Sequence, residues 1–154
     1  FGYKDPGTRD YARLLGVALQ LTNIIRDMPT DLSSGRLYFP VEDLRRFKCT
    51  EEDLRAGFSE PVRNLIEFEC ERAKSLYARA ESLLPSVDAR RLVAAEIMSA
   101  IYQAILKCIE RRGYDVFSET VRVPRPRRAL IAIRIWTRTI LRSRVCSSTP
   151  RSWF

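Results

Sequence analysis

The chain of 154 residues contains no histidine. Without imidazole there is no Ser-His or Cys-His nucleophile pair, no histidine metal ligand and no side chain that titrates near neutral pH unperturbed. Any chemistry must therefore use carboxylates, tyrosine, arginine, lysine or a bound metal ion. The four cysteines lie at least 21 residues apart and form no C-x-x-C pair, which predicts reduced thiols rather than a zinc site or a disulfide framework.

Long apolar runs are also missing. The longest segment without a charged residue, Leu14–Ile25, has twelve residues, whereas a membrane span needs about 17 or more. The N-terminal residues lack the apolar core of a secretory signal, so we expect a cytoplasmic chain. The net charge of +8 lies in the C-terminal part, because residues 122–154 contain nine arginines and no acid.

The remaining pattern is helical almost throughout and predicts an all-α domain over residues 1–145, followed by a flexible tail over residues 146–154. We predict a first helix capped by Thr8 that continues to Met28, where Pro29 ends or kinks it and a polar loop follows. Two short helices are predicted near 41–47 and 51–56, and longer ones at 59–84, 88–112 and 127–145.

The predicted 59–84 helix carries three glutamates in close succession, Glu67, Glu69 and Glu71. Helical periodicity places only Glu69 on the apolar stripe of this helix, and the other two on a solvated face. We therefore expect an arginine partner for Glu69.

The first helix has the most informative pattern. At about 100° per residue, Gln20, Asn23 and Asp27 fall on one face, and Asp31 extends this row if the helix continues. A buried row of amides and carboxylates needs partners, and Mg²⁺ binds carboxylates together with phosphate oxygens. Arg26 beside the row could hold a phosphate. The row is either a site for Mg²⁺ and a phosphorylated ligand, or a helix end that faces solvent.

The segment Leu15–Asp27, with Asp31 and the run Gly35–Pro40, resembles the second aspartate-rich signature of the squalene/phytoene synthase family of head-to-head prenyl transferases. Met98–Tyr102 and Gly113–Phe117 extend the resemblance. It implies an isoprenoid-synthase-type helical bundle, of which this chain would be the C-terminal portion. The first aspartate-rich helix of the family has no counterpart here, so we expect the 154-residue chain alone to be inactive.

The resemblance also implies an activity for the whole protein. It is closest to bacterial presqualene diphosphate synthases, which implies a Mg²⁺-dependent condensation of two farnesyl diphosphates to presqualene diphosphate, in squalene and hopanoid biosynthesis. One alternative is phytoene synthesis from two geranylgeranyl diphosphates, which would place the protein in carotenoid synthesis. Another is a non-catalytic, membrane-associated relative that acts as an assembly or interaction protein.

The resemblance assigns roles to eight side chains. The metal ligands would be Asn23, Asp27 and Asp31. The catalytic set would be Asp27, Asp31, Tyr38 and Tyr102, and the residues that bind the prenyl diphosphate would be Gln20, Asn23, Arg26 and Arg36. A core tyrosine is the other interpretation of Tyr102.

Arginines recur along the last predicted helix, at Arg127, Arg134, Arg138 and Arg142. A basic amphipathic helix can lie on an anionic membrane, so we expect peripheral contact with the inner face of a membrane. A solvated helix of the bundle is equally compatible with this pattern. No recognition motif accompanies the charge, so we expect no nucleic-acid binding.

Overall fold

The computed structural model describes residues 2–145, with side chains to residue 141, and this part of the chain contains helices but no strands. The helices are α1 (Gly7–Ser33), α2 (Val41–Arg46), α3 (Glu51–Ala56), α4 (Glu60–Ser82), α5 (Val93–Arg111) and α6 (Arg125–Val145). The all-α prediction is confirmed. The predicted flexible tail over residues 146–154 lies outside the described residues.

The centre of the fold is the interface between α1 and α4, which α5 covers on one side. Each of the two helices buries a stripe at helical spacing. The buried residues are Thr8, Tyr11, Leu15, Ala18, Thr22, Ile25, Met28 and Leu32 of α1, and Val62, Leu65, Ile66, Glu69, Cys70, Ala73, Tyr77 and Ala80 of α4.

One buried hydrogen bond crosses this interface. The Thr22 hydroxyl donates to the Ala18 carbonyl at 2.8 Å, and the Tyr77 hydroxyl lies 2.9 Å from the Thr22 oxygen. Because the Thr22 proton is already engaged, Tyr77 is the donor across the interface. Burial raises the pKa of Tyr77 to about 12, so the phenol keeps the proton that this bond requires.

The prediction that Pro29 ends the first helix is wrong. α1 runs through Pro29 to Ser33, so the predicted polar loop begins several residues later. Proline lacks the N–H that would bond the Ile25 carbonyl, but Met28 and Leu32 on either side of it are buried in the core. Their packing sustains the helix, since tertiary contacts contribute most of helix stability in proteins.

The start of α1 also differs from the prediction. The helix begins at Gly7 with no side-chain cap, and Thr8 is buried instead of serving as the N-cap. Its hydroxyl donates to the carboxylate of Asp88 at 2.7 Å. Asp88 therefore lies in the segment that precedes α5. This helix begins at Val93, and not at residue 88 as predicted.

The short helices follow local signals. Thr50 and Asp53 form a capping box at the start of α3, and Gly57 ends the helix at φ 111°, where glycine is favoured. Of the cysteines within the described range, Cys49 and Cys70 are buried and all are free thiols. Burial raises the pKa of Cys70 to about 12, as expected for a packed, unreactive thiol.

The last helix, α6, begins two residues earlier than predicted and packs on α5. Its other side leaves large apolar side chains exposed, namely Leu130, Ile133, Trp136 and Leu141. Among the described residues, no helix is both long and apolar enough to cross a membrane.

Candidate functional site

One face of α1 borders an open cleft of about 360 Å³. Its lining consists of Gln20, Asn23, Ile24, Arg26, Asp27, Asp31, Tyr38 and Tyr102. Tyr38 comes from the segment between α1 and α2, and Tyr102 comes from α5. Seven of the eight residues predicted for the site therefore surround one cleft, although they come from three separate parts of the chain.

The eighth predicted residue, Arg36, lies beside the cleft and not within it. After Ser33 the chain turns back through Gly35 at φ 71°, and the Arg36 N–H donates to the Asp31 carbonyl at 2.8 Å. This turn places the Arg36 guanidinium 3.6 Å from the Asp31 carboxylate. Arg36 lines a smaller groove next to the cleft, which shares Asp31 and Tyr38 with it.

Within the cleft, Arg26 holds its neighbour Asp27 in a bidentate pair. The Arg26 Nε and Nη2 atoms donate to the two carboxylate oxygens at 2.8 and 2.6 Å. The hydrogen bonds to Asp27 raise the pKa of Arg26 above its ordinary value, and Tyr102 beside it adds to this shift. Each aspartate of the row thus has an arginine partner, and the formal charges of the two pairs cancel.

Asn23 tests whether the cleft suits a metal ion. Its side-chain oxygen is buried, and no donor from the described residues reaches it. A buried carbonyl without a partner is uncommon in folded proteins and indicates a missing ligand or water. Together with Asp27 and Asp31, this oxygen makes a set of hard donors of the kind that Mg²⁺ prefers.

The described residues supply only part of a coordination sphere. They contain no group of three or more histidine, cysteine, aspartate or glutamate side chains placed to hold a metal ion. Mg²⁺ usually keeps several waters and takes the remaining oxygens from one or two carboxylates and phosphates. The residues present therefore fit one side of a Mg²⁺ site that waters and phosphate oxygens would complete.

Sequence reasoning missed one residue of the cleft, Ile24. It lies one turn after Gln20 on α1 and lines both the cleft and the neighbouring groove. The signal was present in the helical periodicity, which places Ile24 at the edge of the polar row. Periodicity alone does not mark Ile24 as a site residue, because an apolar side chain on this helix is equally expected in the core.

A sequence profile of the squalene/phytoene synthase family matches residues 1–139. The chain belongs to the squalene/phytoene synthase family. Among its relatives in this family, the 15-cis-phytoene synthase of Synechocystis sp. is 40% identical over 133 residues, which are 84% of this chain and 39% of the relative. The phytoene synthase of Mycobacterium tuberculosis is 31% identical over 136 residues, which are 86% of this chain and 45% of the relative.

The fold of a solved family member agrees. The crystal structure of a dehydrosqualene synthase in complex with ligand superposes with a TM-score of 0.69 at 26% identity, covering 86% of this chain and 47% of that one. The chain therefore spans less than half the length of these synthases. The names of the curated relatives agree with the phytoene synthase alternative better than with the presqualene diphosphate synthase that we expected first.

Proposed function

We propose that this chain is part of a head-to-head prenyl transferase of the phytoene synthase type, which joins two geranylgeranyl diphosphates. The names of the relatives favour this substrate over farnesyl diphosphate, which remains the rival. The observation that carries the proposal is the unpartnered oxygen of Asn23, in line with Asp27 and Asp31 along the cleft.

In this proposal the polar row would hold Mg²⁺ through Asn23, Asp27 and Asp31. When bound, Mg²⁺ supplies Lewis-acid stabilisation of the diphosphate leaving group. Arg26 and Arg36, now paired with the two carboxylates, would turn to diphosphate oxygens, which guanidinium binds in bidentate fashion. Mg²⁺ would then bind to the carboxylates and the diphosphate to the arginines, so that each charged side chain of the cleft would again face an opposite charge.

The other residues of the cleft would orient and shield the substrate. The hydroxyls of Tyr38, before α2, and of Tyr102, in α5, would donate hydrogen bonds to the diphosphate, and the Gln20 amide would do so from α1. Ile24 forms an apolar edge next to the row. It would keep water away from the allylic carbon as the diphosphate leaves.

The first test is Asp27→Asn in the full-length protein. We expect activity to fall by at least about 100-fold, because loss of a direct ligand should exceed the 10- to 100-fold effect of outer-shell changes. Asp10→Asn is the matched control, since Asp10 is an exposed acid on the same helix and outside the cleft. Near-normal turnover by Asp27→Asn would contradict the metal assignment.

A second test identifies the substrate. The full-length protein is supplied with C15 or with C20 prenyl diphosphates, separately, and the products are analysed. Phytoene formed from the C20 substrate supports the proposal, and presqualene diphosphate formed from the C15 substrate supports the rival. No turnover with either would favour a non-catalytic relative.

We further propose that α6 contacts an anionic membrane. Its exposed apolar residues, Leu130, Ile133 and Leu141, lie on the side away from α5, and Arg134 and Arg138 are exposed next to them. Such a surface combines apolar insertion with attraction to anionic headgroups, worth about 1 kcal/mol per arginine near the surface. The contact would be reversible and weakened by salt.

Liposome flotation with anionic vesicles tests this contact. We expect Arg134→Glu/Arg138→Glu to reduce binding and to weaken its dependence on salt. The control Arg9→Glu/Arg13→Glu makes the same charge change at exposed positions of α1 and should retain more binding. Equal losses in the two double variants would mean that net charge alone, and not α6, determines binding.

A further inference from the structure

A buried acid lies outside the cleft, where α2 rests on α4. Glu69 of α4 is 0% exposed, and neither of its carboxyl oxygens has a hydrogen-bond partner among the described residues. The expected arginine is present, but Arg72 Nη1 stands 3.6 Å from Glu69 and 3.0 Å from Asp43 of α2. The hydrogen bond of Arg72 is therefore made to Asp43, and Glu69 has a charged neighbour but no donor.

Two carboxyl groups thus share one guanidinium. An ionised carboxylate without donors is unfavourable in the protein interior, and a second carboxylate beside it adds repulsion. Burial, and then Asp43, raise the pKa of Glu69 to about 7, against the opposing effect of Arg72. Protonation of Glu69 reduces both penalties, because its O–H can then donate to the Asp43 side chain, with which it interacts.

We propose that Glu69 is protonated in the folded chain and donates this proton to the Asp43 carboxylate, so that it acts as a positioning residue for α2 and for the Tyr38 side of the cleft.

Aromatic contacts show that α2 rests on α4 at this point. The guanidinium of Arg46, in α2, lies 4.4 Å from the ring centroid of Phe68, the neighbour of Glu69 in α4. Phe47, at the end of α2, packs against the same ring with 5.3 Å between centroids. Asp43, Arg46 and Phe47 thus bind one short stretch of α4, in which Glu69 is the buried polar group.

The N-terminus of α2 is connected directly to the cleft. The Pro40 carbonyl accepts the N–H groups of Asp43 and Leu44, each at 3.1 Å. Tyr38, which lines the cleft, is two residues before Pro40. Loss of the hydrogen bond from Glu69 to Asp43 should therefore increase the mobility of the segment that carries Tyr38.

The proposal makes the stability of the chain depend on pH. Glu69 holds its proton more tightly in the folded chain than in the unfolded chain, where the ordinary glutamate pKa of 4.5 applies. The free energy of unfolding should therefore decrease as pH rises from about 4.5 to about 7, and this decrease should stop above that range. The charged groups that act on Glu69 are Arg72 of its own helix and Asp43 of α2.

Thermal unfolding of the 154-residue chain between pH 5 and pH 8 tests the proton. Glu69→Gln keeps a donor toward Asp43 and cannot ionise. The Tm of this variant minus the Tm of the wild type should therefore increase as pH rises. The matched control is Glu67→Gln, at a half-exposed neighbour on α4 that pairs with Arg63, and it should follow the wild type. Parallel curves for all three proteins would overturn the proposal.

A second measurement does not depend on a variant that folds. The infrared band of a protonated carboxylic acid should persist at pH 6 in the wild type, and its absence would overturn the proposal.

Hydrogen exchange adds a local readout. Protection factors already correct for the intrinsic effect of pH on exchange. Those of the α2 amides should fall between pH 6 and pH 8 in the wild type and stay constant in Glu69→Gln.

The consequence for the cleft rests on the proposed function. In the full-length protein, the ratio of Glu69→Gln activity to wild-type activity should increase between pH 6 and pH 8. A constant ratio together with diverging melting curves would overturn the link to Tyr38, while the protonated Glu69 would stand. Absence of activity in both proteins would count against the proposed function alone.

Discussion

Asn23 combines two properties that rarely occur together in a folded protein. Its side-chain oxygen is buried, and within the described part of the chain it accepts no hydrogen bond. Such a group destabilises the fold by about 1–3 kcal/mol unless a ligand or water satisfies it. A position of this kind is expected where binding, rather than stability, constrains the choice of residue.

Asn23→Leu should therefore separate stability from function. We expect the free energy of unfolding of the chain to rise by about 1–2 kcal/mol, because leucine has the same branched shape and number of side-chain heavy atoms without an unsatisfied oxygen. The activity of the full-length protein should fall at least about 100-fold. Urea unfolding and turnover measure the two effects, and a variant that is both less stable and fully active would contradict this account.

Asp88 shows the opposite situation, because its buried carboxylate is fully engaged. It accepts the N–H groups of Lys4 and Asp5 and the hydroxyl of Thr8. The hydrogen bond from Asp5, followed by the bonds from Thr8 and Lys4, lowers its pKa to about 2. A lowered carboxyl pKa stabilises the fold above the ordinary aspartate pKa, and this stabilisation is lost as pH falls toward 2.

Asp88→Asn should consequently lower Tm at pH 7, and the difference from wild type should narrow between pH 4 and pH 2. Asparagine is neutral, so it cannot accept these hydrogen bonds as strongly as the ionised carboxylate does. At low pH the wild-type carboxylate becomes protonated and loses the same advantage. Thermal melts at a series of pH values provide the measurement. A difference that stays constant down to pH 2 would show that the negative charge of Asp88 does not matter.

The length of α1 determines the geometry of the cleft. Because this helix continues past Pro29, Asp31 stays one turn beyond Asp27 and remains on the same face. Had the chain left the helix at Met28, Asp31 would have been in a loop with no fixed relation to the row. The buried side chains of Met28 and Leu32 therefore contribute to the site although neither lines the cleft.

Pro29→Ala should stabilise the chain by about 2 kcal/mol. Alanine restores the hydrogen bond to the Ile25 carbonyl. Part of that gain is offset because the unfolded chain has more conformational freedom without proline. Pro61→Ala is the matched control, because Pro61 is in the first turn of α4, where proline is favourable. A loss of stability in Pro29→Ala as large as in Pro61→Ala would contradict a continuous α1.

As a whole, the described part of the chain forms a compact core but leaves apolar side chains exposed on α1 and α5, two helices that contact each other. Val17 on α1 is 50% exposed and Met98 on α5 is 47% exposed. The chain also spans only 39–45% of the lengths of the curated relatives compared above. Contiguous exposed apolar surface is typical of an interface with another part of a protein or with a second molecule.

The 154-residue chain on its own should therefore associate with itself and show no prenyl transfer. Light scattering coupled to size exclusion should reveal a mass that increases with protein concentration. Val17→Lys/Met98→Lys should shift the distribution toward monomer, because both positions are exposed and charge opposes apolar association. A monodisperse wild-type monomer that turns over substrate would show that the chain is complete as it stands.

Local signals made much of this protein predictable. The helical period defined the buried stripe of α4 and the row Gln20, Asn23 and Asp27, since a face of a helix is determined by residues three or four apart. The capping box at Thr50 and the end of α3 at Gly57 depend only on neighbouring residues. These features need no knowledge of distant parts of the chain.

Contacts between residues far apart in the sequence decided the rest. Core packing carries α1 through Pro29, and Thr8 binds Asp88, 80 residues away, instead of capping its own helix. Tyr102 reaches the cleft only because α5 lies beside α1. No local pattern contains such information, because it follows from how whole helices pack, and the free energy of that packing outweighs the local preferences of single residues.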